Sequence, residues 1–500
     1  MTVKVYSPQC QVALIKSLPR SELVPGLKAN STRYNRGTGI DLMPFLGDGS
    51  NIHVTKSTRS AMGNFSIRFS DQMDATLFET LSALAEPGDL IEIRMSREAV
   101  PLGKQIPLIM RGFVSDITRS ENVDQNGKPQ RFSEIRGADL QKILSTYIIN
   151  YKVGRRTNAY SMVEWRFFSA FTGSTPTKAL SGNEFVKIIV DIVNKQIESM
   201  RSLAQLEGEK TTASDSILNW QLSAIVDGTV SSTAINSATD VSLYDLCKLL
   251  LDVGSGFNEL FLEDRDGYPP TLILRPTPFK TVKGEWVQPD SWADEMAISS
   301  NDIVSMTTTR SDEGIANYFY ITSPSLAFLG IDQQDIMLSG NVDSFSRLTA
   351  HNSHEAIHGW RELSVETAMY DNQASHDQNS FKEKEIEEER GIAKDWVTKR
   401  RETLISINES NILFENCQLT VKGDPFLKPG TFIRLYRGIN QTFVGEGYCY
   451  EVSHTWVPFQ GFTTNCKLDR YTGFIERSKA PISLYIGEIE QGIISEKKGN

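Results

Sequence analysis

The chain has 500 residues, 39% of them hydrophobic and 23% charged, which allows two to four domains of ordinary globular protein with an ample core. The formal net charge of −10 comes with no basic stripe, which argues against a surface built to grip nucleic-acid phosphates. No apolar run approaches the roughly 18–20 residues a membrane span needs.

The start, Met1 to Tyr6, lacks the charged head and apolar core of a signal peptide and is expected to open a first strand, so folding in a cytoplasm is expected. Residues 1–20 alternate enough for one or two strands. Residues 24–63, rich in Gly, Ser, Asn and Thr, are expected to form a long loop or extended hairpin ordered by a partner. Asn64 to Phe69 returns to strand, and Asp74 to Leu84 is expected to be a short helix. Pro87-Gly88 then makes a turn, because Pro presets φ and Gly accepts positive φ, and Leu90 to Ile93 follows as a strand. Arg111 to Ile117 is a second strand. Asn126-Gly127 marks a hairpin turn, and Gln130 to Gly137 is the returning strand. Ala138 to Tyr147 is expected to be helical and to close this first β-domain.

The middle of the chain changes character. Asn183 to Leu206 carries Phe185, Ile188, Ile189, Ile192, Val193 and Ile197 at helical spacing. Val241 to Val253 is a second helix, opened by Ser242 and Asp245 in a capping box and closed at Gly254-Ser255-Gly256. Glu259 to Glu263 and Thr271 to Arg275 flank Asp266-Gly267 as a hairpin. The Asp264-Arg265-Asp266-Gly267 run shares its first residues with a calcium loop, but the rest of that twelve-residue pattern is missing and a turn is expected. Strand returns from Ile303 and includes Tyr318 to Ile321. The charged run Asp377 to Glu409 is expected to be a helix with a solvated face, Ala393, Trp396 and Val397 lying on its apolar side.

The most organised stretch is Phe426 to Tyr471. Pro429-Gly430 is a turn, then Thr431 to Leu435, Glu446 to Trp456 and Phe462 to Arg470 read as an antiparallel meander. It is a better-defined copy of the Pro87 to Gly137 pattern, which points to internal duplication. Cys10, Cys247, Cys417, Cys449 and Cys466 are scattered, contain no C-x-x-C and are expected to be buried free thiols. His454, beside Trp456, is expected to be a satisfied core or interface histidine.

These residues carry a resemblance. Leu427 to Leu435, Gly447 to His454 and Phe462 to Arg470 resemble the C-terminal signature of phage baseplate hub proteins, the late-control family also seen in the N-terminal half of VgrG spikes. The early turn, the Gly112-Phe113-Val114 strand and the strand ending Arg136-Gly137-Ala138-Asp139-Leu140 resemble the first half of such hubs. The likeness is one of pattern and order, over roughly residues 60–145 and 300–475. It implies an α+β, mainly β fold: two tail-tube-like antiparallel β-barrel domains with an inserted α+β region. The corresponding division is 1–145, 146–300, 301–475 and a C-terminal tail, 476–500. It also implies a homotrimeric ring with pseudo-sixfold symmetry, joining a hexameric tail tube or tube initiator to a separate trimeric spike within a virion baseplate. Such a ring surrounds the DNA channel, which an acidic surface would let DNA slide through. Other baseplate proteins are expected partners. Membrane association, sequence-specific nucleic-acid binding, cofactors and enzymatic activity are not expected. Residues 24–63 and 476–500 are the expected interprotein contacts.

One motif points elsewhere. His354-Glu355-Ala356-Ile357-His358 is an H-E-x-x-H, which on a helix sets two imidazoles on one face for zinc with the glutamate as general base, and His351 adds a third imidazole nearby. The alternative function is therefore a zinc-dependent peptidase or hydrolase. Against it, Arg361 stands where the extended motif has glycine, and Gly359 directly after the second His weakens the helix. The segment His358 to Leu363 also resembles a metal-free strand and turn of hub proteins. No catalytic or metal residue is assigned on this balance.

Overall fold

Alternation of buried and exposed side chains builds two β units of the same design within one large sheet. The computed structural model describes residues 7–15, 39–47, 49–70, 73–74, 79–80, 85–101, 103–123, 127, 129–149, 180–205, 219–230, 241–254, 256–288, 291–322, 355–370, 383–438 and 441–479. The chain is mainly β, as expected, and antiparallel ladders dominate its large sheet.

The first unit contains β1 (Gln9–Ile15), β2 (Ile40–Asp41), β3 (Asn51–Ser57), β4 (Asn64–Ser70), β5 (Leu90–Ser96), β6 (Leu108–Val123) and β7 (Pro129–Asp139), and α1 (Lys142–Thr146) follows. Their order across the sheet is β3-β4-β7-β6-β5-β1-β2. Val12 and Leu14 of β1 share one core with Ile52 and Val54 of β3, so the sheet curls until its outer strands face the same apolar interior. β3 falls in the segment expected to be a long loop or extended hairpin. Ile52 and Val54 alternate with His53 and Thr55, a strand pattern that the surrounding glycines hide. The helix expected from Asp74 is absent from the described part of that stretch, where Met73–Asp74 and Glu79–Thr80 pair as a short ladder. The helix expected from Ala138 starts later, because Ala138 is still paired with both Asn64 and Phe113.

The inserted region has its own apolar cluster. α2 (Gly182–Gln205) buries Phe185, Ile189, Val193 and Ile197 against Leu243, Leu246 and Leu250 of α3 (Leu243–Leu250). The Ser242 side chain caps α3 by accepting from the Asp245 amide at 3.0 Å. The hairpin of β8 (Asn258–Glu263) and β9 (Thr271–Pro276) lies against both β units. Its tip is a turn with Gly267 at φ +74°. The two tip carboxylates are occupied by arginines, Asp264 by Arg111 and Asp266 by Arg94 at 2.9 Å, so the turn reading holds. At its other end Arg275 bonds Glu259 at 2.7 Å and donates to the Gly430 carbonyl at 2.7 Å. The hairpin is thus a strut held by charge at both ends.

The second unit contains β10 (Glu295–Ser299), β11 (Ile303–Thr309), β14 (Glu415–Lys422), β15 (Thr431–Arg437), β16 (Thr442–Val457) and β17 (Gly461–Tyr471), with a short α6 (Gly473–Lys479) after it. Between β11 and β14 in sequence lie β12 (Tyr318–Thr322) and β13 (Glu362–Glu366). Among the described residues they pair in parallel as a separate two-stranded sheet and do not join the second unit, contrary to the expectation for Tyr318 to Ile321. Phe319 and Ile321 turn instead to a cluster with Phe257, Val397 and Leu404. α5 (Glu383–Asn408) runs over that cluster. Its charge is not all solvated: Arg400 is buried, 3.4 Å from Asp252 and stacked on Trp396 and Phe257. All five cysteines are buried and unpaired.

Candidate functional site

The two units repeat one plan. In each, a Pro-Gly turn leads to a strand of 7 residues, then one of 16, then one of 11, then a short helix. The ladders match as well: β4-β7-β6-β5 in the first unit and β14-β17-β16-β15 in the second. β3 flanks β4 as β11 flanks β14, and β1 flanks β5 as β10 flanks β15, although β10 runs parallel where β1 is antiparallel. Each long strand carries a bulge against the 11-residue strand, between Val114 and Asp116 in β6 and between Cys449 and Glu451 in β16. The extra residue twists the strand and carries its outer half away from its first neighbour.

That outer half is where the units meet. β16 pairs with β15 only up to Cys449, and its next residues pair antiparallel with β3, from Glu451 with Ser57 to Trp456 with Ile52. One sheet therefore crosses from one unit to the other. On its outward face the Thr55 and Ser453 hydroxyls are 3.1 Å apart, and His53 Nδ1 lies 3.0 Å from Thr455 Oγ1. On the inward face His454 is buried opposite Val54, its Nδ1 3.0 Å from Thr464 Oγ1. Burial pushes its pKa down to about 3, so the ring is neutral and satisfied, as expected for an interface histidine. The loop after β3 closes the junction. Thr58 donates its amide to the Tyr450 carbonyl at 2.9 Å, Arg59 stacks 4.2 Å above the Tyr450 ring, and its guanidinium bonds Asp469.

The duplicated plan leaves this junction with two open counterparts. In β6 the equivalents of Glu451 to Trp456 are Asp116 to Glu121, matched through the bulges. β5 pairs only with β6 residues up to Phe113, so among the described residues that edge of the outer half has no ladder. In the other unit the equivalent of β3 is β11, whose outer edge is likewise unpaired among the described residues. Met306 and Thr308 stand where Ile52 and Val54 stand, and they are half-buried where their counterparts are buried. The paired positions are chemically alike: Asp116 for Glu451, Thr118 for Ser453, Thr309 for Thr55 and Arg310 for Lys56. Two unpaired edges with the complementary halves of an existing junction form a surface made for strand addition.

None of these contacts was named from the sequence. The signal available was the equal spacing of the two Pro-Gly-strand patterns, and it locates the units but not the edges they leave open.

The H-E-x-x-H motif is placed in part. His351 and His354 lie outside the described residues. Glu355–His358 is helical, the described part of α4, and Gly359 at φ +69° ends it. Trp360 is 72% exposed and edge-stacks on Tyr318, while Arg361 bonds Asp312 at 2.8 Å. Among the described residues no three His, Cys, Asp or Glu side chains are grouped to hold a metal ion. The tail beyond Lys479 lies outside the described residues. A polar cavity of about 220 Å³ beside β15 and β16 is spanned by paired charges, with Lys280 bonding Glu446 at 3.1 Å and Arg434 bonding Glu446 at 2.9 Å.

No protein-family model and no curated protein matches the sequence. Among solved structures the chain is similar to the tail protein from Neisseria meningitidis MC58, at 10% identity and a TM-score of 0.43, over 93% of this chain and 97% of that one. It is also similar to the 43 kDa tail protein of prophage MuSo2 from Shewanella oneidensis, at 12% identity and a TM-score of 0.44, again over 93% and 97%. A component of the E. coli type VI secretion system, described as similar to phage tail proteins, aligns at 8% identity and a TM-score of 0.36 over 85% and 74%.

Proposed function

We propose that the chain is a structural hub of a phage tail baseplate, a ring whose subunits are joined by the open edges of its two β units. The observation that carries this reading is the strand junction between β3 and β16 together with its two unpaired counterparts. A chain with one internal junction, and with both halves of a second one unfilled among the described residues, would be completed by another copy of itself. Head-to-tail contacts of this kind generate a ring when the rotation closes. Because each chain supplies two units, the ring holds an even number of them. Three chains and six units is the number the hub resemblance implies.

In this reading the division into 1–145, 146–300, 301–475 and 476–500 is a functional one. The two β units form the ring, the inserted region braces them from outside, and the tail reaches a neighbour. One ring face meets a sixfold tail tube or its initiator and the other a separate threefold spike, with DNA passing through the acidic centre. The chain is then a virion component that works by fit and not by catalysis.

The test is native mass spectrometry of the purified chain without chelator, combined with a cysteine pair across the open edges. Ser120 and Thr307 are the counterparts of Thr455 and His53. In the Ser120→Cys/Thr307→Cys chain, oxidation is expected to give covalent dimers and trimers, because the native thiols are buried. A trimer in the spectrum and this cross-link support the ring. A chain that stays monomeric at high concentration and forms no cross-link overturns it.

A further inference from the structure

We infer that the charges closing the two kinds of junction are opposite in sign, and that this inversion fixes which unit follows which around the ring. The inference rests on the ring reading above.

Inside the chain the junction is closed by a cation of the first unit on an anion of the second, Arg59 on Asp469, with Tyr450 beneath the guanidinium. Tyr450 is the bulged residue of β16, between Cys449 and Glu451. The bulged residue of β6 is Ser115, between Val114 and Asp116. Its hydroxyl accepts from the Lys142 ammonium at 2.7 Å, so a cation lies beside the residue that corresponds to Tyr450. The position matching Asp469 is Ala138, so no carboxylate replaces it there. On the incoming side, Arg59 lies five residues past Val54. Five residues past Thr308, the counterpart of Val54, is Glu313, which is exposed in the turn before Gly314. Filling the open junction with a second copy brings Glu313 of one chain to Lys142 of the other.

Four pairings of edge and strand are conceivable. Two are attractive: Arg59 with Asp469, and Glu313 with Lys142. The two that would join like units place Arg59 against Lys142, or Glu313 against Asp469, and both are repulsive. The backbone ladders are the same in all four, since the strands share one plan. Sequence-independent strand pairing alone therefore does not select the alternating order, and charges at the junction do. Like-charge juxtaposition is an effective way to reject a wrong partner.

The experiment uses full-length chains carrying Lys142→Glu, Glu313→Lys, or both. Each single reversal is expected to raise the subunit dissociation constant about tenfold or more, and the double reversal to restore it to near the parent value. Thermal unfolding of each chain checks that the fold is intact. If Lys142 served only to hold Ser115, its reversal would lower the unfolding temperature and Glu313→Lys would not rescue it. If single reversals leave assembly unchanged, or the double is no better than the singles, the charge inference fails. A Ser120–Thr307 cross-link that still forms in those same chains keeps the ring. Loss of that cross-link in the parent chain removes both.

Discussion

Gly88 and Gly430 make the same hydrogen bond in the two units: Gly88 donates its amide to the Val114 carbonyl at 2.9 Å, and Gly430 donates to the Cys449 carbonyl at 2.8 Å. Both follow a proline and both adopt positive φ, +92° and +86°. Their surroundings differ. A Cβ on Gly88 would meet nothing within 4 Å, whereas one on Gly430 would lie 2.8 Å from Phe261 and 3.1 Å from the Arg275 guanidinium. Gly88→Ala is therefore expected to cost only the left-handed backbone, about 1 kcal/mol. Gly430→Ala adds a clash with the strut and is expected to cost about 3 kcal/mol. Denaturant unfolding of the two variants side by side measures the difference, and equal losses would mean that the hairpin does not brace the second unit.

Asp264 anchors the other end of that strut. Arg111 is 4% exposed and bonds Asp264, the Arg265 carbonyl and the Tyr268 carbonyl. Removing the carboxylate leaves a buried guanidinium without its counter-charge. Asp264→Ala is expected to destabilise the chain by about 3–5 kcal/mol, and Arg111→Met in the same chain to recover part of it, because a pair removed together leaves no orphan charge. A double variant as unstable as Asp264→Ala would show that the carbonyl contacts of Arg111 matter more than the ion pair.

The turns, the long strands and the amphipathic helices were legible because each is set by local chemistry. Pro429-Gly430, the alternation from Gly447 to Trp456 and the 3.6 spacing from Phe185 to Ile197 need no distant partner. β3 is not singled out within 24–63 because Ile52 and Val54 are only two apolar residues among glycines and polar groups, and they are buried where they pair with Trp456 and His454 about 400 positions away. β12 was read as a strand but given to the wrong sheet, since Tyr318 to Ile321 carries no mark of its partner β13. Arg400 sits in a run of charge whose pattern resembles a solvated helix. Its burial depends on Asp252, which only the fold brings near.

The H-E-x-x-H motif makes its own prediction. α4 ends directly after His358, at Gly359 with φ +69°, and Trp360 beyond it is 72% exposed. The purified chain is expected to carry no stoichiometric zinc by elemental analysis, and Glu355→Gln is expected to leave assembly and stability unchanged. One zinc per chain, with peptide or ester hydrolysis lost in Glu355→Gln, would instead establish the enzyme.

Two buried groups give stability opposite dependences on acid. His454 has its pKa lowered from 6.5 to about 3, chiefly by burial, so below pH 6.5 the unfolded chain takes up a proton that the folded chain refuses. Its contribution is lost as pH falls from about 6.5 towards 3. Asp139, which accepts from the Gly63 amide at 2.8 Å, has its pKa raised from 3.8 to about 6, again chiefly by burial. There the folded chain keeps a proton that the unfolded chain gives up, so stability is lost as pH rises from about 4 to 6. Each tenfold change in proton affinity is worth about 1.4 kcal/mol, so the two slopes largely offset each other between pH 4 and 6. Asp139→Asn is expected to unmask the histidine, giving stability that climbs with pH across that window. His454→Gln is expected to unmask the aspartate, giving stability that falls across it. Unfolding free energies of the parent and both variants at pH 4, 5, 6 and 7 test the pair, and parallel curves for all three would refute both assignments.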